Sequence, residues 1–165
     1  MARENQTGDM AAAARRFFRL AKGVEIAALT VTKEQALDTQ FELAKATPVD
    51  VATARSNWRI SVGRPLSGRI KAYHPYPSRH IKPYGGGGSR SETANLSAVV
   101  EQGRARLATY KKGSIYISNT MPYIGPLNRG HSKQSRPGFV ARAVMAATIR
   151  TKPKIKLIFT KELSR

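Results

Sequence analysis

The chain has 165 residues and a mass of 18.1 kDa, the length of one domain with a core of its own. It contains no cysteine, so disulfide scaffolds and thiolate metal sites are excluded, and no apolar stretch reaches the length of about 18 residues that a membrane-spanning helix needs. The 29 Lys and Arg residues against 10 Asp and Glu residues give a net charge of +19, which points to a polyanionic partner.

The positive charge is concentrated after residue 50. Residues 1–50 hold seven acidic and seven basic residues, whereas residues 51–165 hold three acidic and 22 basic residues. Such self-repulsion costs stability unless a partner offsets it, so nucleic acid is the first partner to consider and an acidic protein surface is the second. A generic basic surface without a specific role is the third interpretation.

Residues 9–46 predict one long helix, because an alanine-rich start is followed by apolar residues at three- and four-residue steps. Phe17, Leu20 and Val24 belong to the apolar stripe that we expect to face the core. A continuous helix of this length would measure roughly 55 Å, which suggests contacts beyond one subunit. Gly23 is a weak point at which the helix could break, and Pro48 should end it at residue 46 or 47.

The rest of the chain predicts short strands and two further helices. Strands are expected at residues 55–62, 113–118 and 154–160, and helices at residues 92–109 and 137–150. The last of these helices should bury Val144, Met145 and Ile149. Runs of Pro and Gly indicate that the middle of residues 63–92 is a long mobile basic loop, inserted into the domain. The prediction is a single α+β domain over residues 1–165, in which a small, mostly antiparallel sheet is packed by a long N-terminal helix and two shorter helices.

Residues that could carry chemistry are few. Glu34, Asp38 and Glu42 fall at four-residue steps on one helix face, where they could hold Mg²⁺ or, in the interpretation that we favour, form an acidic stripe facing solvent or a partner. The three histidines match no zinc spacing, and the glycines at 85–88 lack the Gly-Lys-Ser/Thr ending of a phosphate-binding loop. We therefore predict that the protein is not an enzyme and needs no metal or cofactor.

Tyrosines alternate with Arg and Lys in residues 69–90, which is typical of a nucleic-acid-binding segment. The same segment could instead become ordered against a protein neighbour, because duplex DNA offers no free base face on which tyrosine could stack.

Two local patterns together resemble a known family. The first pattern is Thr47-Pro48-Val49-Asp50 followed by Arg55 and Trp58, and the second is Asn119, Pro122, Tyr123 and Gly130 ahead of Gly138-Phe139. In this order they are similar to the signature of the tail-completion or neck proteins, which join heads to tails in tailed double-stranded DNA phages and include the lambda-type minor tail protein. At residues 51–52 the chain has Val-Ala where the family has Thr-Gly, so a left-handed turn is not expected there.

The resemblance implies a structural virion protein, assembled in the host cytoplasm, that forms a ring around the DNA path in the neck. Its partners would be further copies of itself (six, or alternatively twelve), the head–tail adaptor proteins, the tail terminator or tail-tube protein, and the genomic DNA passing through, with no membrane. The signature residues would be structural, and Trp58 is expected in the core with an indole N–H that needs an acceptor. A free basic nucleic-acid-binding protein of ribosomal or nucleoid type is the alternative.

In such a ring, loop cations would face the DNA and contact phosphate only, so that binding weakens with salt and shows no sequence preference. The candidates for this role are Arg69, Lys71, Arg79, Lys82, Lys111, Lys112, Arg129 and Lys133. The acidic stripe of Glu34, Asp38 and Glu42, together with Tyr123, is predicted to contact the next subunit, in a head-to-tail arrangement that can close into a ring.

Overall fold

The computed structural model describes residues 2–48, 52–73 and 89–164, with only the backbone described for residues 2–8 and 89–91. Its elements are α1 (Ala2–Ala46), α2 (Thr53–Ser56), β1 (Arg59–Val62), α3 (Ser89–Leu107), β2 (Ile115–Ser118), α4 (Ile124–Asn128) and α5 (Phe139–Leu163). The α+β class, the long N-terminal helix and the small antiparallel sheet are confirmed. Arg79, Lys82 and most of the predicted mobile loop lie outside the described residues.

Two long helices, α1 and α5, form an antiparallel pair at the centre of the fold. Gly23 of α1 meets the last turn of α5, where a Cβ atom at Gly23 would lie 2.9 Å from the carbonyl oxygen of Glu162. α5 turns Ala143, Ala147 and Thr151 inward at four-residue steps, and all three are buried. Small side chains on one face let the two helix backbones approach closely, so the pair packs along much of its length.

The predicted strand at residues 154–160 is wrong, because α5 continues through Pro153 to Leu163. Alternating apolar and basic residues at 154–160 suggested a strand. Pro153 also argued against a helix, because a proline inside a helix costs about 3 kcal/mol. The Lys154 ammonium lies 2.9 Å from Glu34 Oε2 and 2.8 Å from Asp38 Oδ1 of α1. These contacts and the packing against α1 stabilise the helical form, and neither is visible in the local pattern.

The two strands pair antiparallel, with Arg59 opposite Ser118 and Val62 opposite Ile115. The long connection between these strands contains α3, and α3 and α1 pack against the strand pair. One buried cluster lies where the end of α1, the start of β1, α3 and the start of α5 meet, and it comprises Leu43, Ala44, Trp58, Val99, Phe139 and Ala143. A second cluster of Ala36, Ile60 and Leu107 lies where the strand pair meets α1 and α3. The predicted strand at 55–62 is shorter than expected, because residues 53–56 form the helical turn α2.

Several apolar residues expected in the core are on the surface. On α1, Phe17, Leu20 and Val24 are 71%, 49% and 46% exposed, and on α5 Met145 and Ile149 are 66% and 72% exposed. Val144, at 42%, is exposed as well. Periodicity identifies an apolar face but not whether another element covers it. α1 runs without a break past the last turn of α5, and α5 turns its small residues inward, so these larger side chains are left uncovered by the described chain.

Gly103 of α3 allows α3 to cross α1 closely. A Cβ atom there would lie 3.0 Å from Leu37 Cδ2 and closer still to Oε1 of the fully buried Gln40. Gln40 has little freedom to move, because its Nε2 donates to the carbonyl oxygen of Trp58 at 2.9 Å.

We expect Gly103→Ala to lower the free energy of unfolding by about 1–3 kcal/mol through overpacking, although alanine favours an isolated helix by about 1 kcal/mol. Urea unfolding measures the change. Ser97→Ala, at an exposed position on the same helix, is the control and should change stability by about 0.5 kcal/mol or less. A Gly103→Ala protein more stable than the wild type would contradict the close crossing.

Candidate functional site

The first signature pattern joins the end of α1 to the start of β1. The buried Thr47 hydroxyl donates to the Leu43 carbonyl oxygen at 2.7 Å and accepts from the Trp58 indole N–H at 2.7 Å. Trp58 is 7% exposed, so its predicted core position and its need for an acceptor are both confirmed. The predicted helix end is confirmed as well, since α1 stops at Ala46, two residues before Pro48. Val49 and Asp50 lie outside the described residues.

The turn α2 is held from several sides. Asn119 of the second signature pattern donates from Nδ2 to the Ala54 carbonyl oxygen at 2.8 Å and accepts from the Met121 N–H at 3.1 Å. The buried Arg55 guanidinium lies 3.0 Å from Glu92 Oε1 of α3. Ala52 before the turn is left-handed, with φ 66°, so the expectation that this turn is not left-handed is wrong. The packed surroundings hold an alanine in a conformation that normally favours glycine.

Asn57, between α2 and β1, is a buried residue that the sequence patterns did not single out. Its amide donates to the carbonyl oxygens of Thr53 and Ile70, and its Oδ1 accepts from the Ile70 N–H at 3.0 Å. A fully buried asparagine next to the only tryptophan fixes the segment that follows β1 against α2. The sequence indicates this role only through the position of the Asn57 amide, directly beside an apolar strand.

The second signature pattern continues into the turn that leads to α5. Tyr123 precedes α4 and is 39% exposed, and Pro122 is also exposed. Gly130 has φ 98°, and a Cβ atom there would lie 2.6 Å from Pro137 Cγ. Any side chain at Gly130 would therefore collide with the segment that starts α5. We call the arrangement of Thr47, Ala54, Arg55, Trp58 and Asn119 around α2 the signature cluster.

The acidic stripe of α1 is used inside the chain. Asp38 lies 3.0 Å from Arg150 Nε and 2.8 Å from Lys154 Nζ of α5, and Glu42 lies 3.3 Å from Arg150 Nη1. Together with the contact between Glu34 and Lys154 at 2.9 Å, these groups form what we call the ionic seam.

The ionic seam gives the acidic stripe partners within the chain, and the predicted contact of the stripe with a neighbouring subunit stays a prediction. Asp38 is 5% exposed and also accepts a hydrogen bond from the Thr151 hydroxyl at 2.8 Å. The Arg150 guanidinium lies over the Phe41 ring, 4.3 Å from its centroid. The stripe was interpreted as free because the predicted strand at 154–160 left no cations to meet it. The continued helix α5 supplies them.

The seam changes the titration of Lys154. Burial lowers the pKa of this lysine, but hydrogen bonds and charges from Asp38 and Glu34 together outweigh burial and hold the pKa above its ordinary value of 10.5. A raised pKa means that the folded state favours the charged form. The resulting stabilisation is present below pH 10.5 and is lost as the pH rises through the higher value of the folded state.

The loop cations predicted to face DNA are exposed but lie on separate segments. Lys111 and Lys112 precede β2, near the end of the strand pair at which Val62 is paired with Ile115. Arg69 and Lys71 follow a segment that is hydrogen-bonded to Ser118, at the other end of the strand pair. Arg129 and Lys133 lie between α4 and α5, where they are also exposed. The structure therefore does not bring all six described candidates into one patch.

A further group of cations was missed because residues 1–50 sum to zero charge. Arg15, Arg16, Arg19 and Lys22 are all exposed on the part of α1 that extends past α5. The acids that cancel them in the count include Glu34, Asp38 and Glu42, whose charges the seam neutralises. Counting charge in windows of one or two helical turns would have found this group.

The described residues contain no group of three or more His, Asp or Glu side chains placed to hold a metal ion. No helix in the described part of the chain has both the length and the apolar character needed to cross a bilayer. The chain was compared with family models, with curated proteins and with solved structures, and none of these comparisons returned a match.

Replacing Thr47 by valine should lower the free energy of unfolding by about 1–3 kcal/mol, because the buried Trp58 N–H loses its acceptor. Thr47→Ser keeps the hydroxyl and should retain most of the stability. Chemical unfolding followed by the fluorescence of the single tryptophan measures both effects at the site itself. Equal stability of the valine and serine variants would show that this hydrogen bond contributes nothing.

Asp38→Asn should lower the free energy of unfolding by about 1–3 kcal/mol, because the neutral amide no longer attracts Arg150 and Lys154, which are half-exposed and keep Glu42 and Glu34 as partners. The matched control is Glu101→Gln, which removes an acid from an exposed pair with Arg104 and should cost at most about 1 kcal/mol. Thermal unfolding by circular dichroism compares the two variants. Similar losses in both would mean that the seam does not hold α5 on α1.

Proposed function

We propose that the chain is a structural virion protein of the head–tail neck of a tailed double-stranded DNA phage, where it completes the tail and joins it to the head around the DNA path. The observation that carries this proposal is the signature cluster. The two sequence patterns that resemble the neck family meet at α2, where Asn119 binds the Ala54 carbonyl oxygen and Trp58 binds Thr47. Residues far apart in the chain thus act as one structural unit, as expected of a family fold signature.

The surface charge supports a position next to DNA. Glu34, Asp38, Glu42, Glu92 and Glu101 are all in ion pairs within the chain, so the remaining exposed charge is mostly positive. Copies arranged around a polyanion would have their mutual repulsion offset by phosphate charge. The role is structural, because the signature residues are committed to hydrogen bonds and packing within the fold.

The proposed assembly is a ring of six copies, with twelve as the alternative, in contact with head–tail adaptor proteins and with the tail terminator or tube. The acidic stripe is already paired within the chain, so we expect contacts between copies to use other surfaces as well. The candidates are the exposed Tyr123 and the uncovered apolar side chains of α1 and α5, among them Phe17 and Ile149. Burial of such side chains supplies most of the energy of stable protein interfaces.

Electron microscopy of purified virions tests the proposal, with the protein tagged at the end of α5. We expect the tag at the neck, in six-fold or twelve-fold symmetry, and we expect heads without joined tails when the gene is deleted. Complementation of that deletion by the wild-type chain is the control. Absence of the protein from purified virions would refute the proposal and favour a free nucleic-acid-binding protein, which the positive charge alone accommodates equally well.

A further inference from the structure

One stretch of α1 carries a row of positive charge that no acidic group of the described side chains neutralises. Arg15, Arg16, Arg19 and Lys22 are exposed, and none takes part in the ion pairs of the described chain. No acid occurs between residues 10 and 24. Like charges at three- and four-residue steps destabilise a helix by about 0.2–0.5 kcal/mol per pair. An anionic partner would remove this cost.

The stretch projects from the body of the protein. Gly23 contacts the last turn of α5, and of the residues 9–22 that precede it all are exposed except the half-buried Ala12. We call residues 9–22 the α1 arm. It is about 20 Å long at 1.5 Å per residue, and no described part of the chain covers it. A partner could therefore reach it without any rearrangement of the fold.

Helical geometry separates the arm into two faces. At about 100° per residue, Arg15, Arg19 and Lys22 lie within about 60° of one another and within about 10 Å along the helix axis. Phe17 and Leu20 lie on the opposite side and are 71% and 49% exposed. The arm thus presents a narrow basic face and an opposite apolar face, and Arg16 and the 73% exposed Phe18 lie on the two borders between them.

We propose that the basic face of the α1 arm binds the phosphate backbone of double-stranded DNA. Two of its three cations are arginines, and Arg16 at its border is a third arginine; their planar guanidinium groups can each donate two hydrogen bonds to one phosphate. The apolar face has no partner on a phosphate backbone, so it faces protein while the basic face meets DNA. The inference rests on the proposed function for its setting in the neck, but the binding itself is a property of the isolated chain.

DNA fits the arm better than a lipid surface does. Helices that lie in a bilayer interface bury a broad face of large apolar side chains. On the apolar side, Ala13, Ala14 and Ala21 lie between the larger Met10, Phe17 and Leu20, and each alanine methyl group offers little area for burial. The dense charge on the other side is the stronger recognition feature, and a regular row of phosphates is the ligand that matches it.

Binding of the purified chain to a random-sequence DNA duplex, measured by fluorescence anisotropy over a range of salt concentrations, tests the proposal. The test variant is R15Q/R16Q/R19Q/K22Q, and the control is R64Q/R106Q/R136Q/K152Q, which removes the same charge from exposed positions that are not among the predicted DNA contacts. Since each phosphate contact adds about 0.9 to the slope of log affinity against log salt, the arm variant should lower that slope by about 3 and weaken binding at least tenfold at low salt. The control should keep nearly the full slope.

Equal losses in the two variants would show that total charge alone matters and would overturn the proposal, as would a larger loss in the control variant. Circular dichroism should give the same thermal unfolding for the arm variant and the wild type, because the arm does not touch the body. F17A/L20A should bind DNA normally. Vesicles of equal parts phosphatidylcholine and phosphatidylserine test the lipid alternative. If the wild type binds them in a salt-resistant way, F17A/L20A loses that binding and the arm variant still binds DNA, then the arm is a lipid-binding element and the proposal is wrong. None of these outcomes depends on whether the protein is found in virions, so the arm proposal and the neck proposal fail separately.

Discussion

The buried carboxylate of Asp38 and the two cations that it holds are the constraint on which the rest of the structure depends. A buried carboxylate without partners would cost several kcal/mol, so α1 and α5 must meet in the one register that brings Arg150 and Lys154 to it. The same register places Gly23 against the last turn of α5 and the small residues of α5 against α1. Apolar packing supplies most of the stability of the helix pair. The ionic seam selects the register in which the two helices pack, because that register brings Arg150 and Lys154 to Asp38.

The signature cluster depends on this pair, because Trp58 packs against Leu43 and Phe139, one from each long helix. Thr47 then joins the end of α1 to β1, and Asn119 joins β2 to the turn α2. The two-stranded sheet is only four residues long in each strand and has no other strand to support it among the described residues. Its stability therefore comes from side-chain hydrogen bonds and from the helices beneath it.

The seam also determines what the surface can do. The acids of the seam are paired within the chain, so the exposed charge of the described residues is mostly positive. The α1 arm combines positive charge and apolar surface in a single element, with cations on one side and Phe17 on the other. A protein that must hold both protein and DNA at the same place would need these two faces, and a projecting helix can present them in opposite directions.

The sequence by itself determined the features that have local causes: the helix end before Pro48, the burial of Trp58, the chain order of α1, β1, α3 and β2, and the α+β class. A proline restricts the residue before it, and an apolar repeat spans only a few residues, so both signals can be read from a short stretch of sequence. Tertiary structure alone decided that α5 continues through Pro153, that Phe17 and Ile149 remain exposed, and that the acidic stripe is neutralised internally. Each of these depends on residues 108 to 120 positions apart meeting across the helix pair, or on which apolar face another element covers. No local pattern contains that information, because burial and charge pairing are properties of the packed chain.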